Sequence, residues 1–199
     1  MPGKLFIVSA PSGAGKTTLV NAVLGKLKLE YPIDRVITYT TKKARVGEQD
    51  GRDYHFISPI EFERRIKQNF FLEWSTAYNA YYGSPRQVLN DIQTGQSYIL
   101  IIDRMGAEQV IKHTNDVVLV WIYTTNLQDI HQRLMGRATE SPEVIQARIN
   151  QAQKEIIREQ KQPLYQYHLC NDDFDQAVHN LEHFFRHELK KLTQKKLSF

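Results

Sequence analysis

An α/β fold built on a mainly parallel sheet is predicted by three observations. Short apolar, β-prone runs alternate with stretches of helical periodicity along the chain. The first of those runs passes directly into a glycine-rich loop and then into a helix. Two polar excursions, at roughly 38–95 and 126–150, each follow a strand, where an open α/β sheet keeps its ligand crevice.

Lys4 to Ser9 reads as a buried strand, and Leu19, Val20, Val23, Leu24 and Leu27 recur at helical spacing after the loop. Arg35 to Tyr39 reads as a second strand, and Thr40 to Asp53 turns polar around Gly47 and Gly51. Ser58-Pro59-Ile60-Glu61 is a capping box with proline at the first helical position. Ser84-Pro85-Arg86-Gln87 carries the same start signal, and Gly95 marks that helix's stop. Ser97 to Asp103 and Val117 to Tyr123 are hydrophobic strands. Two helical stretches occupy 126–160, broken near Thr139-Glu140-Ser141-Pro142. Tyr165 to Cys170 is the last core strand. Asn171-Asp172-Asp173 then caps a final helix whose apolar face is Phe174, Ala177, Val178, Leu181, Phe184, Phe185 and Leu189.

Composition bounds the function. The chain has 199 residues, suited to one domain with small insertions. Its net charge of +4 fits the binding of several phosphates as well as it fits nucleic acid. Lys190, Lys191, Lys195 and Lys196 read as a solvated helix end. The single cysteine, Cys170, excludes an intrachain disulfide and a Cys-rich metal site. No apolar run reaches 18 residues and no signal-peptide core is visible, so the expectation is a soluble cytoplasmic protein with no membrane partner.

The loop Ala10-Pro11-Ser12-Gly13-Ala14-Gly15-Lys16-Thr17-Thr18 is the best-defined stretch. Glycine lets successive N–H groups point inward around phosphate oxygens, and the following helix adds its positive end. Lys16 is placed to reach β- and γ-phosphates, and the Thr17 hydroxyl to take one position on Mg²⁺. Ala10 stands where the general pattern has its first glycine. The loop predicts a nucleoside triphosphate and leaves the acceptor open.

Two further features ask for a phosphorylated substrate. Hydroxyls, cations and a tyrosine crowd Thr38 to Glu48 and Gly51 to Phe56, a composition that can hold an anion or simply face water. Arg133, Arg137 and Arg148 form an arginine group on the second excursion, suited to a transferring phosphoryl group or to ordinary helix-surface contacts. Phe70-Phe71-Leu72-Glu73-Trp74 sets one carboxylate in an apolar run, where its partner is a guanine edge or an internal Arg or Lys.

Taken in order, these stretches resemble the guanylate kinase family. The matching pieces are Ser-Ala-Pro-Ser-Gly-Ala-Gly-Lys-Thr, Thr-Thr-x-x-x-Arg-x-Gly-Glu and Gly-x-Asp-Tyr-x-Phe. Phe-Leu-Glu, Tyr-Tyr-Gly-Ser, Asp103 to Gly106, Arg137 with Arg148, and Asn171-Asp172 continue the series, over residues 4 to about 180. Several are weak alone; in order they are specific. The resemblance implies a P-loop kinase fold in one domain, 1–199. Its core (1–37, 96–125 and 151–199) is a parallel five-stranded sheet flanked by helices, with a GMP-binding insertion at 38–95 and a helical lid at 126–150. It implies ATP-dependent phosphorylation of GMP, and of dGMP, assisted by Mg²⁺. Residues 10–18 would hold ATP. Glu73 would read guanine N1–H and N2–H₂, with Ser84 and Thr38 on the O6 side. Lys42, Arg45, Tyr54 and Tyr82 would hold the GMP phosphate, with Gly83 beside them. Asp103 would lie near the guanine and, through water, the metal. Lys16, Arg45, Arg137 and Arg148 would carry the transfer. No nucleic-acid partner is implied, and assembly into a homo-oligomer stays open.

The sequence departs from the family twice. Lys42 stands where an arginine is usual, which keeps charge and loses bidentate geometry. Ile101 and Met105 replace an acid and a glutamine before Gly106. These changes give weight to a competing reading, a binding module of the same fold that no longer catalyses. The intact Gly13, Gly15, Lys16 and Thr17 favour the enzyme, and Glu73, Tyr82 and Ser84 oppose a sugar acceptor.

Overall fold

A computed structural model describes residues 2–77, 79–135 and 142–194. In chain order its elements are β1 (Leu5–Ser9), α1 (Lys16–Leu27), β2 (Ile33–Arg35), β3 (Tyr39–Thr40), β4 (His55–Phe56), α2 (Pro59–Lys67), β5 (Phe71–Ala77), β6 (Ala80–Pro85) and α3 (Gln87–Gln93). There follow β7 (Ser97–Ile101), α4 (Arg104–Val110), β8 (Val117–Tyr123), α5 (Leu127–Met135), α6 (Pro142–Lys161), β9 (Tyr167–Cys170) and α7 (Phe174–Gln194).

Five strands make a wholly parallel sheet in the order β2-β7-β1-β8-β9. Every residue of β1 is buried, as a central strand covered on both faces must be. Phe6 and Val8 face α1 and α7, while Leu5 and Ile7 join the opposite layer with Leu100, Ala107 and Val110. The carboxyl end of β1 therefore delivers the glycine loop to the rim of the sheet.

Between β2 and β7 lies a second sheet, β4-β3-β6-β5, in which β6 runs antiparallel to both β3 and β5. Its sequence is mostly polar and aromatic, and the sequence alone predicts no strand over Phe71 to Pro85. The strand expected at Arg35 to Tyr39 is in fact divided between the two sheets. Val36 is the last residue buried in the core, and its N–H pairs with the Ile99 carbonyl (3.0 Å); the chain then crosses to β3. β-prone residues stand on both sides of that crossing, so composition does not mark it.

The start signals divide by context. Ser58 caps α2, accepting from the Glu61 N–H (3.2 Å). Ser84 caps nothing: it lies inside β6, and α3 begins at Gln87 without a side-chain cap. Of Asn171-Asp172-Asp173 only Asp173 caps α7, through the Gln176 N–H (2.9 Å). Asp103 lies beyond β7 and caps a helix the sequence reading passed over, α4, through the Gly106 N–H (2.8 Å). The expected break at Thr139 to Ser141 falls outside the described residues. Among those described, no helix is long and apolar enough to cross a membrane.

Candidate active site

The glycine loop is shaped by conformations that other residues resist. Gly13 and Gly15 both have φ of +86°. A Cβ at Gly15 would also lie 2.7 Å from Asn171 Nδ2, which donates to the Ala14 carbonyl (2.7 Å). Asn171 is almost wholly buried and thus fixes the loop from the end of β9. Gly15 is the cap residue of α1, so Lys16, Thr17 and Thr18 form the first turn, with both threonines exposed. Ala10 and Pro11 are buried against the core, and Ala10 is small enough to sit there. Ser12 accepts a hydrogen bond from Arg148 Nε (2.8 Å). That contact brings α6 onto the loop and buries Arg148. Glu155, two turns further along α6, lies close to Ser12 and Lys16; burial raises its pKa despite a hydrogen bond from Gln151. Sequence reasoning missed both Asn171's grip on the loop and Glu155, because each acts at long range without a local pattern.

Of the arginine group, Arg133 donates to the Asn171 carbonyl (2.9 Å) and so braces the loop's support. Arg137 lies outside the described residues.

The second sheet presents one polar face. Alternation along a strand puts Glu73 with Ser75 and Tyr82 with Ser84 on the same side. A bulge between Phe71 and Glu73 sets this register. The opposite side is an aromatic layer in which Phe62 stacks on Phe71 (4.4 Å) and Tyr81 (5.0 Å). Gly83 belongs to that layer's packing, since a Cβ there would meet Phe62 and Phe71 at 2.9 Å.

On the polar face Glu73 is 2% exposed, and its partner is the Ser84 hydroxyl (2.5 Å) in place of an internal Arg or Lys. Burial pushes the Glu73 pKa up to about 7; the Ser84 hydroxyl opposes the rise and nearby Asp103 adds to it. Asp103 is held between Ser75 Oγ (2.9 Å) and the Gly106 N–H. A Cβ at Gly106 would come within 2.6 Å of Glu73 Oε2, so that glycine leaves the second carboxylate oxygen its room. Ser75 and Gly106 were not among the expected site residues.

Further along the same face lie the cations. Lys42 Nζ donates to both oxygens of Glu48 (2.5 and 2.7 Å), and Glu48 also accepts the Arg45 N–H (2.8 Å). Burial lowers the Lys42 pKa against the pull of Glu48. Lys42 Nζ also sits 4.5 Å from the Tyr54 ring centre. Tyr54 and Tyr82 meet edge to face at 6.2 Å, and burial raises the pKa of both phenols, so they are protonated donors at neutral pH. Thr38 is buried where β3 begins, and its carbonyl accepts the His55 N–H (2.9 Å). A separate cleft of about 690 Å³, lined by Arg35, Asp53, His55 and Asp91 among others, contains none of the expected site residues.

The arrangement thus combines a glycine loop at a helix start, a buried carboxylate, and a group of cations and phenols. A family model described as guanylate kinase matches residues 2–188. The chain belongs to the guanylate kinase family. A guanylate kinase of Hahella chejuensis is 40% identical over 198 residues, covering 99% of this chain and 92% of that relative. One of Thiobacillus denitrificans is 39% identical over 181 residues, covering 90% of this chain and 84% of the relative. The crystal structure of guanylate kinase from Anaplasma phagocytophilum superposes with a TM-score of 0.76 at 25% identity, over 94% of this chain and 87% of that one. Guanylate kinase membership makes the chain an enzyme of the transferase class and its architecture the P-loop kinase fold.

Proposed function

We propose that the chain transfers the γ-phosphoryl group of ATP to the 5′-phosphate of GMP, and of dGMP, by in-line displacement without a covalent intermediate. The observation that carries this reading is Glu73: a carboxylate buried on the polar face of the second sheet, with one hydroxyl partner and an oxygen kept clear by Gly106. Guanine offers two adjacent N–H donors to such a group, whereas adenine has neither at those positions and leaves it unpaired. A buried mismatch of that kind discriminates by about 10⁴-fold. Ser84 and Thr38 address the O6 side. Lys42, Arg45, Tyr54 and Tyr82 hold the acceptor phosphate.

At the donor end, loop N–H groups and Lys16 orient the triphosphate. Arg148, already on Ser12, and Arg137 bridge the two phosphates and stabilise charge as it spreads. The Thr17 hydroxyl and the Asp103 carboxylate are hard oxygen donors and fit Mg²⁺, which neutralises phosphate charge when bound. Ile101 contributes no oxygen, so Asp103 is the acid left for the metal's waters. Positioning and charge carry the rate, and no side chain is required as a general base. Closure of 38–95 over GMP and of 126–150 over ATP excludes water and suppresses hydrolysis. The partners are free nucleotides, and the setting is the cytoplasm. The test is ADP release with GMP, dGMP, AMP, UMP or no acceptor. Turnover is expected with the two guanine nucleotides alone, and equal turnover with AMP would refute the assignment of Glu73.

A further inference from the structure

The last helix carries a feature that phosphoryl transfer does not use. His179, His183 and His187 stand four residues apart along α7, and all three are exposed. Their helix is fixed from its other side, where Ala177, Val178, Leu181, Phe185 and Leu189 are buried in the core. None of the three rings has a hydrogen-bond or ion-pair partner among the described residues. Residues four apart on a helix are neighbours on one face, with Cβ atoms about 5–6 Å apart. Two imidazoles at that spacing can reach one ion at a metal–nitrogen distance of about 2.0–2.1 Å.

Geometry also limits the site. His179 and His187 are eight residues apart, about 12 Å along the axis, so one ion takes two of the three rings. Consistently, among the described residues no three His, Cys, Asp or Glu groups are placed to hold a metal ion together. Charge then separates the two possible pairs. His187 is followed by Lys190, whereas Asp175 lies one turn before His179. The neighbouring charges are otherwise engaged: Arg186 with Glu30 and Glu182, Lys26 with Glu182, and Lys191 with Glu188.

We propose that His179 and His183 form a two-imidazole chelate for a late first-row divalent cation, a metal site distinct from that of the transferred phosphate. Imidazole selects Ni²⁺, Cu²⁺ or Zn²⁺ over Mg²⁺, which prefers oxygen. Water completes the coordination. His183 is the shared member, since it also pairs with His187 when His179 is lost.

The test titrates Ni²⁺ and Cu²⁺ into the full chain, free of any affinity tag, by calorimetry and by electron paramagnetic resonance. One equivalent of Cu²⁺ is expected to show coupling to two nitrogens, and Mg²⁺ is expected not to compete. His183→Gln should weaken Ni²⁺ at least about tenfold. His179→Gln should cost more than His187→Gln, with phosphoryl transfer unchanged in all three. Unaltered affinity in His183→Gln would overturn the proposal, as would binding lost instead in Cys170→Ser. A larger loss in His187→Gln than in His179→Gln would overturn the choice of pair.

Discussion

Replacing Glu73 by glutamine should stabilise the ligand-free protein and impair it as an enzyme, with both effects set by pH. Burial lifts the carboxyl from 4.5 to about 7, so above pH 7 the folded protein holds a carboxylate that burial disfavours. The folded pKa lies above the unfolded one, so the associated stability is complete below pH 4.5 and lost as pH rises through 7. A shift of that size corresponds to about 3 kcal/mol. Glutamine is neutral throughout. At pH 8.5 Glu73→Gln should therefore be more stable by about 3 kcal/mol, a rise in Tm of about 6–12 °C for a chain of this length. Most of that difference should vanish by pH 5.5.

Binding moves the other way. Guanine donors stabilise the ionised carboxylate, so only that form binds well. KM for GMP should rise about tenfold from pH 8 to pH 6 in the natural protein. Glutamine offers one acceptor and turns an amide donor toward a guanine donor. Losing a hydrogen bond to charge costs about 1.5–3 kcal/mol and an unpaired donor about 1–3 more, which together raise KM for GMP roughly 10²- to 10⁴-fold at pH 8. The assay is coupled ADP release at saturating ATP from pH 5.5 to 9, beside thermal melts at the same pH values. The GMP phosphate titrates near pH 6 in both proteins, so the difference between the two profiles isolates the Glu73 step. Superposable KM profiles, or a variant no more stable at pH 8.5, would refute the reasoning.

Three other changes test neighbouring parts. Lys42→Arg should lower KM for GMP about fivefold, because a guanidinium can keep Glu48 with one edge and present a fork to phosphate, worth about 1 kcal/mol; an unimproved KM refutes this. Gly106→Ala puts a methyl 2.6 Å from Glu73 Oε2 and should raise KM for GMP at least about tenfold while KM for ATP stays within about twofold, read from paired substrate titrations. Asn171→Ala leaves the Ala14 carbonyl unpaired and should cost about 1–3 kcal/mol in a denaturant melt, with KM for ATP rising while KM for GMP holds.

The donor half of the site was legible because its determinants are local. Gly13 and Gly15 need positive φ within a few residues of the helix they begin, and sequence spacing records that need directly. The acceptor half was legible from residue chemistry as composition alone, and its residues were named only through the ordered motifs of the resemblance. Ser84 reads as a cap because proline follows it, yet β5 beside it claims the residue for a strand. Tertiary pairing overrides the local signal there. Asp103 looked like the end of a strand, and its capping of α4 depends on a glycine three residues on that also makes room for Glu73. Asn171 and Ala14 are 157 residues apart, a separation for which no periodicity exists.

The charged groups of the site hold internal partners that substrates can replace. Glu73 has Ser84, Lys42 has Glu48, and Arg148 has Ser12. A charge left unpaired in such burial would cost several kcal/mol. Substrate binding thus exchanges one partner for another, which makes selectivity a difference between hydrogen-bond sets. The same view bears on the closure proposed at the donor end. α6 runs unbroken from Pro142 to Lys161, past the proposed lid boundary at residue 150, so the closure proposed for 126–150 would carry the whole helix with it. Near its far end the buried Glu159 accepts from Arg104 (2.6 Å) and from the Leu164 and Tyr165 N–H groups (3.1 and 3.2 Å), and pairs with His168 (3.0 Å). A helix pinned there and touching the phosphate loop at Ser12 moves most easily as one rod about the pin. Arg104 directly follows Asp103, so the residue that holds Glu159 of α6 and the acid beside Glu73 are adjacent on one short turn. The closures proposed at the two ends would therefore act on the same stretch of backbone.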